Sequence, residues 1–149
     1  MDAVALDRAV RLQVFAEVAA TARMTTAASL AAALDRSPAE TEKALRRLAA
    51  SRLLVLAPGS TNVWLAPPFS AVPTGFKVRT GERTHWAICI WDALGIPAAL
   101  GQDATITTWC GDCGDELRLA VRDGALVRPA GLIYFGAPAA RWWDNIGFA

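Results

Sequence analysis

Apolar positions near the start of the chain recur at the spacing of one helical face. Between Ala5 and about Ala22 they include Leu6, Val10 and Val18, while charged residues occupy the other faces. Because an α-helix completes a turn every 3.6 residues, this pattern predicts an amphipathic first helix.

Capping signals predict two more helices. Thr25 or Thr26 can cap a short apolar stretch that runs through Leu34. The Ser-Pro pair at 37–38 places a capping hydroxyl before a proline at the first helical position, so a third helix should run to about Ser51.

A small hairpin is predicted after the third helix. Leu53 to Leu56 is a short apolar strand, residues 58–62 read Pro-Gly-Ser-Thr-Asn as a turn, and Val63 to Leu65 can return as the partner strand. Three helices and a hairpin predict a winged-helix-like N-terminal domain over residues 1–66.

A winged helix raises the alternative of a DNA-binding regulator. The third helix carries three basic residues, Lys43, Arg46 and Arg47. It also carries Glu40 and Glu42, and the turn at 58–62 contains no Lys or Arg that would hold a phosphate backbone. We therefore interpret these charges as a solvated face and expect no nucleic-acid partner.

The second part of the chain begins after a proline-rich crossing. The segment from Ala66 to Pro73 contains three prolines and no helical period, so the domain boundary is placed here. Phe76 to Val78 predicts a strand, and residues 81–82 predict a turn. Residues from Trp86 to about Leu94 predict a buried helix that is stopped by a glycine and a proline at 95 and 97.

Three later segments have strand patterns. They are Ala104 to Trp109, Leu117 to Val121 and Leu132 to Phe135, with Asp123-Gly124 as a turn between two of them. The expected fold class is α+β: the winged-helix-like part is followed, over residues 67–149, by a small mixed β-sheet domain with a thiol-bearing helix.

Composition and charge narrow the class of protein. The 149 residues are 54% hydrophobic, enough for a substantial core, and the net charge is only +1, so bulk charge favours neither nucleic acid nor a membrane surface. No apolar stretch is long enough to span a bilayer, and acidic residues at 2 and 7 argue against a signal peptide. We expect a cytoplasmic protein whose three cysteines are thiols, ligands or nucleophiles.

Candidate chemistry is concentrated at Cys89 and Asp92. A thiol and a carboxylate three residues apart share one helical face, a pairing suited to soft-metal chemistry with a proton donor beside it. An apolar pocket formed by Trp86, Ile88 and Trp91 would raise the pKa of the carboxyl by desolvation. The structural alternative makes Cys89 a small core residue and lets Asp92 cap a turn or pair with Arg83.

The other two cysteines, Cys110 and Cys113, form a Cys-x-x-Cys unit. Two thiols are half of a tetrahedral zinc site, and the chain has no second pair. We interpret the unit as a tight turn between strands; the alternative is a thiol pair that collects a soft metal or supplies a second sulfur to Cys89. The only histidine, His85, is interpreted as a surface or hydrogen-bonded residue rather than a ligand.

Residues 67–148 resemble the alkylmercury lyases in four specific segments. These are Pro-Pro-Phe-Ser at 67–70, Trp-x-x-Cys-x-x-Asp at 86–92 with Ala-Leu-Gly-Ile-Pro after it, Thr-x-x-Cys-x-x-Cys-Gly at 107–114, and Arg-Trp-Trp-Asp-Asn-Ile at 141–146. In the last of these, we interpret Trp142 and Trp143 as core and rim packing groups. The resemblance implies a winged-helix-like part joined to a small mixed-sheet domain.

The resemblance also implies a reaction and its residues. Two thiolates of such enzymes bind the mercury of R-Hg-X and an aspartate delivers a proton to the departing carbon; Cys89 matches the first thiol and Asp92 the aspartate. The expected partners are organomercurials and cellular thiols, with no resident cofactor and with Hg(II) as a ligand of substrate and product. The family's second catalytic cysteine lies beyond the double tryptophan, so we expect a truncated or divergent C-terminal end.

The remaining alternative is a non-catalytic protein. A sensor or carrier of Hg(II), Cu or another soft metal would use Cys89 with Cys110 or Cys113. Because two sulfurs raise electron density on mercury, a single thiol is expected to bind an organomercurial without cleaving it efficiently.

Overall fold

The computed structural model describes residues 2–129 and 131–147. These form four α-helices, an eight-stranded sheet and a C-terminal 3-10 helix. In chain order the elements are α1 Ala3–Thr21, α2 Ala27–Ala33, α3 Pro38–Ala50, β1 Val55–Leu56, β2 Val63–Ala66, β3 Phe69–Ser70, β4 Lys77–Thr80, β5 Arg83–Ala87, α4 Ile90–Leu100, β6 Ala104–Trp109, β7 Glu116–Arg122, β8 Ala125–Val127 and the 3-10 helix Ala139–Asp144. No helix in the described ranges is both long and apolar enough to cross a membrane.

The three predicted N-terminal helices are present, and a side chain caps each of them; the caps of α2 and α3 were predicted, whereas that of α1 was not. Asp2 accepts a hydrogen bond from the Ala5 backbone N–H at 2.8 Å, and Thr26 caps α2. Ser37 and Glu40 form a reciprocal capping box at the start of α3. Together the caps satisfy backbone donors that the first turn of each helix leaves without a partner.

An ion pair joins the first and third helices. Arg47 on α3 donates to both carboxylate oxygens of Asp7 on α1, with Nη2 2.6 Å from Oδ1 and Nε 2.9 Å from Oδ2. Arg46 lies 3.8 Å from Glu42. Two of the three basic residues considered for DNA contact are therefore engaged with carboxylates.

One antiparallel sheet runs through most of the molecule. Its strand order is β1-β2-β3-β5-β4-β6-β7-β8, and β2 pairs with β3 through Leu65↔Ser70 and Ala66↔Phe69. The strands on the two sides of the predicted domain boundary between residues 66 and 67 are thus hydrogen-bonded to each other. The division of the chain there into two domains stays a prediction.

Two buried clusters make up the core. The first joins the N-terminal helices to the β1–β2 hairpin and is centred on Val10, Leu30 and Leu45. The second packs α4 onto one face of the sheet and includes Ile96 and Ile106. Phe15 and Met24 border both clusters, so the two cores are continuous through the end of α1.

The predicted helix from Trp86 to Leu94 is wrong in both bounds. Trp86 belongs to β5, and α4 begins only at Ile90 and continues through Pro97 to Leu100. A proline inside a helix removes one hydrogen bond and costs about 3 kcal/mol. Pro97 is buried beside Ile96 on the sheet-facing side of α4, and that packing offsets the loss.

The predicted strand at Leu132 to Phe135 is also wrong. Those residues have no regular structure, and Leu132 is 99% exposed. The partner of β7 is instead β8, which follows the turn at Asp123-Gly124. Both turn residues have positive φ, 49° and 74°, as a two-residue hairpin requires, and this local pairing occupies the edge of β7 that a later strand would need.

The interpretation of His85 as a surface or hydrogen-bonded residue is wrong as well. Its side chain is 1% exposed, and neither ring nitrogen has a hydrogen-bond partner among the described residues. The imidazole packs 5.4 Å from the Phe69 ring. Burial, and to a smaller extent the charge of Arg83, lowers the pKa of His85, which favours the neutral ring that such packing requires.

Candidate functional site

Cys89 lies where the sheet passes into α4. It is the residue that caps the N-terminus of the helix, with extended backbone angles (φ −145°, ψ −178°), and its carbonyl accepts the Ala93 N–H at 2.9 Å. The prediction placed Cys89 on a helical face. Its actual position aims the thiol at the first turn of the helix, where a capping side chain normally bonds.

Asp92 occupies that first turn and is the partner of the thiol. Cys89 Sγ donates to Asp92 Oδ2 at 3.5 Å, and both side chains are partly buried. The alternative partner, Arg83, lies on β5 with an exposed side chain. The predicted proximity of Cys89 and Asp92 is therefore present, but it joins the N-cap residue of α4 to the first turn instead of two residues on one helical face, and the Cys89 side chain makes no capping hydrogen bond.

Burial raises the proton affinity of both groups. Desolvation raises the pKa of the Cys89 thiol, and the negative charge of Asp92 raises it further, while backbone N–H groups of Asp92 and Trp91 act in the opposite direction. Desolvation also raises the pKa of Asp92, against a lowering by its hydrogen bond from Cys89. The pair can therefore hold a proton that an exposed carboxylate would release.

A cavity of about 310 Å³ opens beside this pair. Of the three residues predicted to form an apolar pocket, Ile88 and Trp91 line it and Trp86 does not. Side chains alternate along a strand, and Ala87 on β5 points into the core beneath α4. Trp86 is consequently directed to the opposite face of the sheet.

The C-terminal segment supplies much of the cavity wall. Its contributions are Phe135, Trp142, Trp143 and Ile146. Trp142 Nε1 donates to the Ala137 carbonyl at 2.8 Å, and its ring lies 5.1 Å from that of Phe135. The two tryptophans, which were expected to be packing groups, thus also line the cavity that contains the thiol. In the sequence, only the double-tryptophan segment drew attention to this wall of the cavity.

Residues from the N-terminal part complete the cavity. Arg11 from α1, Arg52 and Leu53 line it, and Pro67 at the start of the second part lines it as well. The Arg52 guanidinium lies 5.8 Å from the Trp143 ring centroid, a cation–π contact that ties the two walls together. No local pattern marked either arginine, because their approach to Cys89 depends on long-range packing.

Cys110 and Cys113 do not line this cavity. They occupy the turn between β6 and β7, where the Cys110 N–H donates to Asp115 O at 2.8 Å and the Gly114 N–H to Cys110 O at 3.0 Å. Backbone N–H groups of Cys113 and Asp112 lower the pKa of the Cys110 thiol. Among residues 2–129 and 131–147, no group of three or more His, Cys, Asp or Glu side chains could hold a metal ion.

A larger groove of about 430 Å³ lies on the sheet away from the cysteines. Basic side chains line it, including Lys77 and Arg79 from β4 and Arg118 from β7. Its lining contains no thiol among the described residues, so a soft metal has no sulfur ligand there.

Comparisons with known proteins agree with the sequence resemblance. The family model described as MerB, alkylmercury lyase, matches residues 69–148, more than half of the 149 residues. A solved structure of the mercury-bound form of MerB2 has a similar fold, with a TM-score of 0.66 and 23% identity over 83% of this chain and 58% of that chain. The present chain thus spans less than two thirds of that relative. No curated protein matches the sequence.

Proposed function

This chain belongs to the alkylmercury lyase family, and from that membership we propose that it cleaves the carbon–mercury bond of organomercurials by protonolysis. Cys89 is the thiolate that binds mercury and Asp92 is the proton donor. The observation that carries this assignment is the 3.5 Å contact between Cys89 Sγ and Asp92 Oδ2 at the wall of an apolar cavity. The larger groove on the sheet, by contrast, has no thiol among its described lining residues.

The first step exchanges the ligand on mercury. The Cys89 thiol passes its proton to the Asp92 carboxylate, along the hydrogen bond that already joins them. The sulfur electron pair forms the S–Hg bond with R-Hg-X, and X⁻ leaves. Backbone N–H groups of Trp91 and Asp92 at the helix N-terminus stabilise the sulfur as its negative charge develops.

The second step breaks the carbon–mercury bond. Protonated Asp92 delivers its proton to the carbon, the electron pair of the C–Hg bond becomes the new C–H bond, and the hydrocarbon R-H leaves. Hg(II) stays on Cys89 with the Asp92 carboxylate beside it to balance its charge. The raised pKa of Asp92 suits this step, because a carboxyl group that is protonated more readily is available as a general acid nearer neutral pH.

The cavity wall fits both the substrate and a second thiol. Phe135 and the tryptophans Trp91, Trp142 and Trp143 offer apolar area for an alkyl or aryl group R. Since Cys89 is the only cysteine among the described residues that line the cavity, we assign the second sulfur to a small cellular thiol. The cations Arg11 and Arg52 would attract that ligand as its thiolate.

Hydrocarbon release tests the proposal. Phenylmercury is incubated with the protein and excess small thiol, and benzene is measured for the wild type and for Cys89→Ser. Cys113→Ser is the matched control because Cys113 is an exposed thiol outside the cavity. Benzene release that is lost only in Cys89→Ser supports the assignment, whereas equal release from both variants would refute it.

A second candidate is a non-catalytic soft-metal carrier. The observation that favours it is the single thiol among the described lining residues of the cavity, since one protein sulfur binds an organomercurial but activates its carbon less than two. Stoichiometric binding of phenylmercury at Cys89 without benzene release, at any thiol concentration, would select this function.

We also propose that the N-terminal part, residues 1–66, is a winged-helix-like domain that closes the cavity and does not bind DNA. Arg11 and Arg52 from this part line the cavity, and Arg47 is held by Asp7. An electrophoretic assay with no salt-sensitive DNA affinity would support this role, and salt-sensitive binding would exclude it.

A further inference from the structure

The Cys-x-x-Cys unit forms a tight backbone turn between two strands. Trp109 at the end of β6 pairs with Glu116 at the start of β7, so residues 110–115 form the connection. The Cys110 N–H donates to the Asp115 carbonyl at 2.8 Å, and the Gly114 N–H donates to the Cys110 carbonyl at 3.0 Å. The second of these hydrogen bonds closes one helix-like turn of backbone, in which residues three apart lie on the same side, so the turn places the Cys110 and Cys113 side chains next to each other.

Both thiols are free and accessible. Cys113 is exposed and Cys110 is partly exposed, and neither is in a disulfide. Gly114 adopts φ +76°, a left-handed conformation that turns the backbone immediately after Cys113. A bound ion could therefore reach the two sulfurs from solvent without any rearrangement of the core.

Strand register places this turn at the same end of the sheet as Cys89. Lys77 on β4 pairs with Trp86 on one side and with Thr107 on the other. Cys89 and Cys110 each lie three residues further along their chains from that row. Only β4 lies between β5 and β6 in the sheet. The ends of β5 and β6, which lead to Cys89 and to Cys110, are therefore about 10 Å apart, twice the usual strand spacing.

We propose that Cys110 and Cys113 form a second soft-metal site, which takes Hg(II) as a two-sulfur chelate outside the reaction cavity. Mercury arrives bound to two small thiols; each protein sulfur replaces one of them, and each released thiolate takes the proton from the cysteine that displaced it. No oxidant or reductant is needed. The choice of mercury rests on the proposed function, but the binding of Hg(II) does not require carbon–mercury cleavage.

The ligand count selects the kind of ion. Zinc in structural sites takes four ligands, and within the described residues no third Cys, His, Asp or Glu joins this pair in a metal-binding group. Two thiolates suffice for a soft ion that accepts linear coordination. The site should therefore discriminate strongly in favour of Hg(II) over Zn(II).

The test uses the full chain with Cys89→Ser, which removes the cavity thiol. Hg(II) is presented as its complex with a small monothiol in excess, and protein-bound mercury is measured by equilibrium dialysis. We expect about one equivalent bound at the pair, and affinity on the order of 100-fold lower when Cys113→Ser is added, because a chelate is lost. Alkylation of Cys110 and Cys113 should be blocked together by the metal.

Three results would overturn the inference. They are unchanged affinity on adding Cys113→Ser, protection of only one of the two thiols, or Zn(II) bound as tightly as Hg(II). Circular dichroism of each variant verifies folding, and Cys110→Ser is a second variant in which the chelate is equally lost. Benzene release is measured separately: its absence in the wild type, with mercury still held by the pair, rejects the proposed lyase function but leaves this site intact.

Discussion

Under the proposed mechanism, replacing Asp92 by asparagine should separate mercury capture from carbon–mercury cleavage. Asparagine has nearly the same shape as aspartate and keeps an oxygen that can accept from Cys89, so the 3.5 Å contact can persist. It cannot donate an acidic proton to carbon. The variant should therefore bind an organomercurial at Cys89 and fail in the second step.

The expected loss follows from the role of a positioned acid. General acid catalysis contributes roughly 100-fold to 10,000-fold to the rate of a proton transfer. At about 1.4 kcal/mol for each factor of ten, this is about 3 to 5.5 kcal/mol of activation free energy. The equilibrium affinity for mercury should not weaken, because burial still raises the pKa of Cys89 but the further rise caused by the negative charge of Asp92 is removed. The thiol proton, which the carboxylate accepts in the wild type, passes to solvent base in the variant.

Stability provides an independent readout of the same substitution. Burial raises the folded-state pKa of Asp92 above its unfolded value, so its favourable contribution is present at low pH and is lost as pH rises through the folded pKa. At neutral pH the wild type carries the cost of a partly buried carboxylate. The neutral amide removes that cost, and the melting temperature of Asp92→Asn should equal or exceed that of the wild type at pH 7 but not at low pH.

Single-turnover kinetics measure the two steps separately. Protein in excess over phenylmercury is quenched at intervals; bound mercury reports capture and benzene reports cleavage. Asp92→Asn should still reach full capture, at a rate that increases with buffer base because the carboxylate that accepts the thiol proton is absent. Benzene formation from captured phenylmercury should be slowed at least about 100-fold, the lower bound for a positioned acid. Cleavage at nearly the wild-type rate in a folded variant would refute the role of Asp92 as proton donor.

Three further predictions follow from the contacts described. Alkylation of Cys89 should reach half its maximal rate at a higher pH than alkylation of Cys110, because burial raises the pKa of the Cys89 thiol and backbone N–H groups lower the pKa of the Cys110 thiol. Mass spectrometry of labelled peptides across a range of pH measures this order, and the reverse order would contradict the prediction. Ser37→Ala removes the capping hydroxyl of α3 and should reduce the free energy of unfolding in urea by about 1 kcal/mol, with Ser37→Thr as the control that retains a cap. Gly147→Ala would place a methyl group 2.8 Å from the Trp64 ring, so it should displace the cavity wall formed by the neighbouring Ile146. The KM for phenylmercury should rise roughly fivefold, the equivalent of about 1 kcal/mol, with little change in melting temperature. An unchanged KM would show that this contact does not position the wall.

Elements governed by local interactions could be predicted from the sequence. The starts of α2 and α3 follow from Thr26 and Ser37, whose side chains bond to backbone groups within three residues. The hairpin at Asp123-Gly124 likewise depends on two backbone conformations. The nearness of Cys89 and Asp92 belongs to the same class, because a separation of three residues at the start of a helix brings both side chains together however the helix packs.

Elements governed by competition between distant segments could not be predicted. Pro97 remains inside α4 because one face of that helix packs on the sheet, and a local rule sees only the lost hydrogen bond. Leu132 to Phe135 has a strand-like composition but does not pair with β7, since β8 already occupies the edge of that strand. In both cases the deciding interaction joins parts of the chain that no short window contains.

The sequence by itself therefore determined the Cys89–Asp92 pair on which the proposed reaction rests, the helices of the N-terminal part and the family to which the chain belongs. Only the tertiary structure decided which residues surround that pair: Arg11, Arg52 and the tryptophans Trp142 and Trp143 come to Cys89 from segments far apart in the chain. The physical reason is that caps and turns are selected by bonds within a few residues. The walls of a cavity are selected by the burial of apolar surface, which depends on every element that reaches the core.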